Sequence, residues 1–120
     1  MGGAKSRRKG KSGELEVTHE AAKQGLTARR TAPLQAGHRE AYPDVSMDGV
    51  PWLWLEAKRY RRVPVNRFCR EHLDKERPGY MSCLAWRDDG TEWRATILLS
   101  DFLKLVRLAS KAMEAKNEAT

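Results

Sequence analysis

Three charged side chains in the middle of the chain have the types and spacing needed to hold a divalent cation. Asp44 opens a short apolar run, and Glu56 and Lys58 lie at the far end of the next run. Side chains alternate between the faces of a strand, so Glu56 and Lys58 are expected on the same face. If the two runs pair as a hairpin with its loop near residues 48–52, Asp44 lies opposite Glu56. This register brings two carboxylates and one ammonium group together.

Residues opposite each other in such a hairpin have Cβ atoms about 5 Å apart, and two carboxylates held this close repel each other unless a positive group lies between them. Their hard oxygen atoms suit Mg²⁺ or Mn²⁺. A lysine beside such an ion can stabilise negative charge that develops on a phosphate. The alternative is a sheet edge with ordinary surface charges, and the three residues alone do not distinguish the two. The rest of the sequence decides between them.

Length and composition indicate one globular domain. The chain has 120 residues, of which 40% are hydrophobic and 32% are charged. No apolar run approaches the roughly 18 residues that a membrane span needs, and no signal-peptide pattern opens the chain. We therefore expect a cytoplasmic protein with no membrane association, in which Cys69 and Cys83 are reduced thiols.

The positive charge is concentrated in the first part of the sequence. Residues 1–70 contain 15 Lys and Arg against 7 Asp and Glu, within a net charge of +7 for the chain. A basic half on a small protein indicates a polyanionic partner, most often nucleic acid. Residues 1–11 are expected to form a flexible basic arm, followed by a single domain over residues 12–116. The candidate DNA contacts are Lys5, Arg7, Arg8, Lys9, Lys11, Arg29, Arg30, Arg39, Arg59, Arg61, Arg62 and Arg67.

Periodicity and turn residues divide the chain into helices and strands. The run over residues 52–58 is apolar on both faces, so it is expected to be a central strand covered on both sides. Ser12 and Pro64 are suited to start helices, and Gly25 to stop one. The expected order is a helix over 13–24 carrying Glu14, a strand over 26–31, a loop over 32–41, the hairpin, a helix over 64–75, strands over 80–86 and 93–99, and a helix over 100–116.

The last helix has a wide apolar stripe. Phe102, Val106 and Met113 belong to it, and Ser100 is expected to cap the helix. Packing against the sheet is the default explanation. The alternative is that part of the stripe faces a second subunit.

This order of elements, with an acid on the first helix and the Asp and Glu-x-Lys set on the hairpin, resembles the PD-(D/E)XK nuclease superfamily. Within it, the chain looks most like the Holliday junction resolvases of archaea and phages. A basic N-terminal segment leads into Lys-Gly and the first acidic helix, here residues 9–14, Lys-Gly-Lys-Ser-Gly-Glu. The resemblance covers residues 7–108. It implies a restriction-endonuclease-like α/β fold, a mixed β-sheet flanked by helices with an αβββαβ core plus a final strand and helix.

The resemblance also implies an activity and its residues. Glu14, Asp44 and Glu56 would bind Mg²⁺ or Mn²⁺, and Lys58 would assist the attacking water. The substrate would be DNA, specifically a four-way junction processed in recombination, repair or phage DNA metabolism. A bacterial or archaeal host cytoplasm would be the setting. Because a junction needs two symmetric cuts and the chain offers one metal site, a two-fold homodimer is expected.

Two alternatives remain open from the sequence. One is a nicking or flap-cutting nuclease on the same core. The other is a non-catalytic nucleic-acid-binding module, which clustered acids facing phosphates disfavour. Contributions of Gln35, His38 and His72 to the site are also left open.

Overall fold

The computed structural model describes residues 3–32 and 42–118, with side chains from residue 7 onward. A five-stranded mixed sheet is flanked by helices, which confirms the α/β class. The family-specific arrangement stays a prediction. The elements are α1 (Gly3–Lys23), β1 (Ala28–Arg30), β2 (Val45–Met47), β3 (Leu53–Tyr60), α2 (Val65–Phe68) continuing into a π-helical turn (Cys69–Leu73), β4 (Met81–Asp88), β5 (Arg94–Ile97) and α3 (Leu99–Glu118).

The strands lie side by side in chain order, with β3 in the middle as predicted. β3 and β4 are parallel, and the other neighbouring pairs are antiparallel. Val45 of β2 pairs with Leu55 of β3, which is the register predicted for the hairpin. β4 and β5 form the second predicted hairpin, with Gly90 at a positive φ of 81° in its turn.

The two faces of the sheet bury separate apolar clusters. Helix α1 covers one face, where Val17 packs with Val45, Leu55, Ala57 and Ala85. Helix α2 and the π-helical turn cover the other face with Phe68, Leu73 and Leu84. Strand β3 is apolar on both faces because each face is covered by a helix.

Helix α1 begins earlier than expected. The predicted start at Ser12 is wrong, since residues 3–11, expected as a flexible arm, are already helical. Alanine, lysine and arginine are strong helix formers, and here they outweigh the glycines in this segment. The predicted stop is confirmed: α1 ends at Lys23, and Gly25 adopts a positive φ of 78°.

Helix α1 approaches β3 closely at one glycine. Gly13 is buried, and a Cβ atom at this position would lie 3.2 Å from the Cβ atom of Arg59. Gly10, one turn earlier, has open space around it. Gly13 therefore sets how near the acidic part of α1 can lie to the sheet.

The helix predicted over residues 64–75 is irregular. After four α-helical residues the chain widens into the π-helical turn, where Asp74 N–H donates to the carbonyl oxygen of Cys69 at 3.0 Å. Pro64 precedes the first helical residue, as predicted. The wider turn changes the direction in which the following side chains project.

Helix α3 is largely exposed, with Asp101 and Leu105 its partly buried residues. None of its residues is buried, so the expectation that its apolar stripe packs against the sheet is wrong. The helix begins at Leu99, so Ser100 lies within its first turn rather than at the cap. Among the described helices, none combines the length and apolar character needed to cross a bilayer.

Candidate active site

Strand β3 places Glu56 and Lys58 on the face of the sheet that α2 covers. Trp54, Glu56 and Lys58 alternate with residues that point to α1, as their register with β4 requires. Glu56 is only 8% exposed. A buried carboxylate must find partners, and the surrounding elements supply them.

Asp44 is held just before β2 by its neighbours. Its carbonyl oxygen accepts the Thr31 N–H at 3.1 Å, and its Oδ2 atom accepts the Ala57 N–H at 3.0 Å. Its carboxyl group also lies within hydrogen-bonding reach of the Glu56 carboxyl group. The convergence of these two acids, predicted from the hairpin register, is thus present.

The electrostatics of this pair are unusual. Burial, a hydrogen bond with Glu56 and the charge of Glu56 together raise the pKa of Asp44 to about 7. The Ala57 N–H and the charge of Lys58 oppose that rise without cancelling it. The pair therefore favours a shared proton, or another positive charge in its place, at neutral pH.

Glu14 lies near this pair but is turned toward a different partner. The Arg30 Nε atom donates to Glu14 Oε1 at 2.9 Å. Burial and the charge of Asp44 raise the pKa of Glu14, although Arg30 and Lys58 oppose the shift. Glu14 and Asp44 thus interact through their charges, whereas the hydrogen-bond partner of the Glu14 carboxylate is Arg30.

Lys58 carries a positive charge beside the acids. Its Nζ atom lies 5.0 Å from the centroid of the Phe68 ring, a cation–π contact. Its charge acts on both Glu14 and Asp44. The fold thus places Lys58 near the Asp44–Glu56 pair, whereas Glu14 acts on the pair only through its charge and is bound by Arg30.

His72 joins the site from the π-helical turn. Its Nδ1 atom is 3.8 Å from Glu56 Oε1, and its ring packs against Phe68 with centroids 5.9 Å apart. Burial and the charge of Lys58 lower the pKa of His72, which favours the neutral imidazole. Among the described residues, the buried Nε2 atom has no hydrogen-bond partner.

A second layer of side chains fixes Glu56. The Trp54 Nε1–H group donates to Glu56 Oε1 at 2.8 Å. The Arg77 guanidinium lies 4.5 Å from the Trp54 ring and donates to the His72 carbonyl oxygen at 2.7 Å. Alternation along β3 already placed Trp54 on the Glu56 face. The contacts of Arg77 and His72 could not be predicted from the spacing of residues in the sequence, because both depend on tertiary packing.

The donor chemistry of the pair fits Mg²⁺ or Mn²⁺. Both ions prefer oxygen ligands, and Mg²⁺ is often held by one or two carboxylates plus water and substrate phosphates. Within residues 3–32 and 42–118, no three His, Cys, Asp or Glu side chains are grouped as a complete metal-binding set. The structure thus brings two of the three predicted ligands, Asp44 and Glu56, into contact, while Glu14 pairs with Arg30.

A different acidic centre lies on the α1 side of the sheet. Glu16 accepts hydrogen bonds from Arg59 at 2.7 Å, Arg87 at 2.9 Å and the Trp93 indole at 3.2 Å. Burial alone favours its protonation, but the hydrogen bonds from Arg87 and Trp93 and the two charges hold its pKa below the ordinary value. We call these four residues the Glu16 cluster.

The candidate DNA contacts fall into groups that differ in their surroundings. Several are already paired: Arg30 with Glu14, Arg59 with Glu16, Arg29 with Asp48, and Lys9 with Asp89. Arg67 lies over the Phe68 ring and 3.8 Å from Glu71. The exposed surface carries Arg29 and Arg67 and also Arg7, Arg8, Lys11, Arg61 and Arg62. The Lys5 side chain, Gln35, His38 and Arg39 lie outside the described residues.

Comparisons with protein-family models, with curated proteins and with solved structures gave no match to this chain.

Proposed function

We propose that this protein is a metal-dependent DNA endonuclease that hydrolyses phosphodiester bonds, and that four-way junctions are its main substrate. The contact between the Asp44 and Glu56 carboxyl groups, with Lys58 on the same strand face, carries this proposal. A buried glutamate and a partly buried aspartate in contact destabilise each other unless a cation or proton lies between them. A divalent ion bound between them would relieve this repulsion.

The proposed roles follow from the contacts. Asp44 and Glu56 would hold the divalent ion, whose chemistry when bound is to act as a Lewis acid toward phosphate and water oxygens. Lys58 stabilises negative charge developing on the phosphate and helps orient the water. The Trp54 indole holds the Glu56 carboxylate in place through its hydrogen bond, and the His72 ring lies beside that carboxylate. Glu14 becomes a third ligand only if its carboxylate leaves Arg30.

The charge distribution supports a DNA substrate. The exposed arginines Arg61 and Arg62 come directly after β3, and therefore lie a few residues from Lys58. Arg7, Arg8 and Lys11 add positive charge on exposed positions of α1. Side chains of this kind bind phosphates without reading sequence.

We propose a homodimer as the active unit. A four-way junction presents two symmetry-related strands, and one chain supplies one carboxyl pair. A two-fold dimer provides two sites related as the strands are. A non-catalytic binding module is disfavoured, because an acidic pair facing phosphates weakens binding unless it holds a cation.

The test is cleavage of a DNA panel containing four-way junction, fork, flap and linear duplex, with Mg²⁺, with Mn²⁺ and with chelator. We expect metal-dependent cleavage with the junction cut fastest. Glu56→Gln should lose more than about 100-fold in cleavage rate and keep its affinity for DNA. Glu92→Gln removes an exposed carboxylate of the same type and should cleave like the wild type.

The results of this DNA panel distinguish the proposed function from its alternatives. If flaps or nicked forks are cleaved fastest, the protein is still a nuclease, but the four-way junction is not its main substrate. DNA binding without cleavage of any substrate, in either metal, overturns the enzymatic proposal in favour of a binding module. Cleavage that survives Glu56→Gln removes the carboxyl pair from the active site.

A further inference from the structure

A mostly apolar cleft of about 440 Å³ opens between α3 and the edge of the sheet where β3 and β4 begin. Cavities that hold small organic ligands have volumes of this order. Its walls include the rings of Trp52 and Tyr80 from the sheet edge and the side chains of Lys104, Arg107 and Leu108 from α3. We call these five residues the aromatic cleft.

Strand pairing places the two rings side by side. Strands β3 and β4 run parallel, and Leu53 pairs with Met81. Trp52 and Tyr80 each precede one of these residues, and the Trp52 carbonyl oxygen accepts the Met81 N–H at 2.7 Å. Because neighbouring strands lie about 4.8 Å apart, two aromatic side chains reach one cleft from adjacent strands.

Trp52 differs from the other three tryptophans of the chain. The indole N–H groups of Trp54, Trp86 and Trp93 each donate a hydrogen bond to a side chain. Within residues 3–32 and 42–118, the Trp52 indole has no such acceptor, and Trp52 is 43% exposed. Tyr80 is 47% exposed. The cleft therefore presents two large aromatic surfaces that packing within the chain does not use up.

Cationic side chains lie beside these rings. Arg107 is exposed and forms no ion pair with another described residue. Lys104 lies 3.7 Å from Asp101, the one acid that lines the cleft, and 60% of the lysine side chain is exposed. Aromatic rings flanked by positive charge bind single-stranded nucleic acid, because a base stacks on the ring and its phosphate meets the cation. An unpaired nucleotide thus matches both features of the cleft.

The cleft is connected to the carboxyl pair through Trp54. The rings of Tyr80 and Trp54 form a T-shaped contact with centroids 5.3 Å apart, and the Trp54 indole donates to Glu56 at 2.8 Å. Trp52 precedes Glu56 by four residues, which corresponds to about 13 Å of extended strand. Since successive nucleotides of a duplex strand are about 3.4 Å apart, a base in the cleft would lie about four nucleotides from a phosphate at the carboxyl pair.

We infer that the aromatic cleft binds an unpaired nucleobase of DNA, which stacks on Trp52 and Tyr80 while Arg107 and Lys104 hold the adjoining phosphate. This inference rests on the proposed function for its ligand and deepens it, because it assigns a subsite for unpaired nucleotides close to the cleaved strand. Bases inside a continuous duplex are covered by their neighbours, so the cleft favours DNA that is open near the cleavage site.

The test is fluorescence anisotropy of the full chain with a short dye-labelled single-stranded oligonucleotide, in chelator so that no cleavage occurs. Trp52→Ala should weaken binding by at least about 5-fold, the lower end of the effect of removing one stacking ring. Trp52→Phe keeps a ring and should retain most of the affinity. The matched control is Phe102→Ala, which removes an exposed ring of α3 outside the cleft and should bind like the wild type. Circular dichroism checks that each variant is folded.

An abasic oligonucleotide of the same length separates stacking from charge. It keeps the phosphates, so the wild type should bind it at least about 5-fold more weakly than the intact oligonucleotide. Trp52→Ala should bind the two oligonucleotides about equally, because the stacking surface is already lost. Arg107→Ala should instead reduce the slope of log K against log salt by about 0.7, the value for one phosphate contact on a single strand.

Equal binding of the intact oligonucleotide by the wild type and Trp52→Ala overturns the inference, as does equal binding of intact and abasic oligonucleotides by the wild type. If either result accompanies cleavage of the DNA panel, the nuclease proposal stands without this subsite. Conversely, Trp52-dependent binding that discriminates against abasic DNA supports the inference even where no substrate is cleaved, and the protein is then a binding module.

Discussion

The Glu16 cluster and the Asp44–Glu56 pair lie on opposite sides of β3, and acids of the same kind behave differently in them. Glu16 receives hydrogen bonds from two arginines and a tryptophan, and its pKa is lowered. Asp44 contacts another acid, and its pKa is raised to about 7. The Glu16 carboxylate is satisfied by its own surroundings and needs no ligand. The Asp44–Glu56 pair requires a proton or a cation.

Adjacent residues of β3 separate the two centres. Lys58 belongs to the face of the carboxyl pair, whereas Arg59 belongs to the face of Glu16 and is bound there. Lys58 and Arg59 are therefore neighbours in sequence, yet one acts on the carboxyl pair and the other binds Glu16. A carboxylate already neutralised by arginine contributes to folding, and one left in need of a cation is available for chemistry.

The largest expected effect separates these two basic residues. Lys58→Ala should slow single-turnover cleavage by about 100-fold, the effect of removing one preorganised charge from a transition state, with little change in DNA affinity. Arg59→Ala should keep the cleavage rate under conditions where it is folded. Rapid-quench kinetics with a filter-binding assay measure both quantities. If Lys58→Ala loses affinity but keeps its rate, Lys58 binds phosphate only.

The pH dependence of stability is the next prediction. The pKa of Asp44 is raised from 3.8 to about 7 on folding, so the folded protein binds this proton more tightly than the unfolded chain. In chelator, the free energy of unfolding should fall as pH rises from about 4 to about 7, by up to about 4 kcal/mol. Urea unfolding across this range measures it.

Asp44→Asn is the control for that experiment, because its side chain does not titrate. The variant should lose most of the decline between pH 4 and pH 7. Mg²⁺ or Mn²⁺ added to the wild type at pH 8 should restore stability by replacing the proton. A wild-type profile that is flat over this range, or identical to that of Asp44→Asn, contradicts the raised pKa.

A smaller effect is expected at the Glu16 cluster. Glu16→Gln removes the carboxylate that pairs with Arg87, whose side chain is 14% exposed, and leaves Arg59 with only the longer contact to Asp89 at 3.5 Å. We expect a loss of about 2 kcal/mol in unfolding free energy. The control Glu20→Gln removes an acid on an adjacent turn and should change stability little. Equal stability of the two variants would contradict the structural role of Glu16.

The smallest effect concerns the two glycines of α1. Gly10→Ala should stabilise the protein by about 0.5–1 kcal/mol, because alanine favours the helix and has open space there. Gly13→Ala should gain less or lose stability, because its Cβ atom meets Arg59 at 3.2 Å. Chemical denaturation of both variants measures the difference, and equal gains would show that α1 can move away from β3 freely.

Much of the fold could be predicted from the sequence, because its signals are local. The alternation along β3 and the turn after β2 predicted the register that joins Asp44 to Glu56. Gly25 predicted the end of α1. These features depend on neighbouring residues and on the periodicity of a strand, which a single sequence contains.

The remaining features depend on contacts between distant elements. Whether Arg30 binds Glu14 or DNA cannot be read from its position in β1, because the two residues meet only after α1 has packed. The same holds for Arg77 beneath Trp54. The apolar stripe of α3 favours packing on the sheet, with a second subunit as the alternative, because such a stripe predicts burial without saying which molecule covers it.

The π-helical turn over Cys69–Leu73 has a consequence for how this site can vary. A π-helical turn corresponds to one residue more than a regular α-helical path. Deleting one residue here would let the helix run regularly, but it would rotate His72 by about 100° away from Glu56. The segment can therefore either form a regular α-helix or keep the His72 ring beside Glu56, but not both. A chain selected only for stability would have reason to shorten the segment, whereas one selected for the orientation of Glu56 would keep its length.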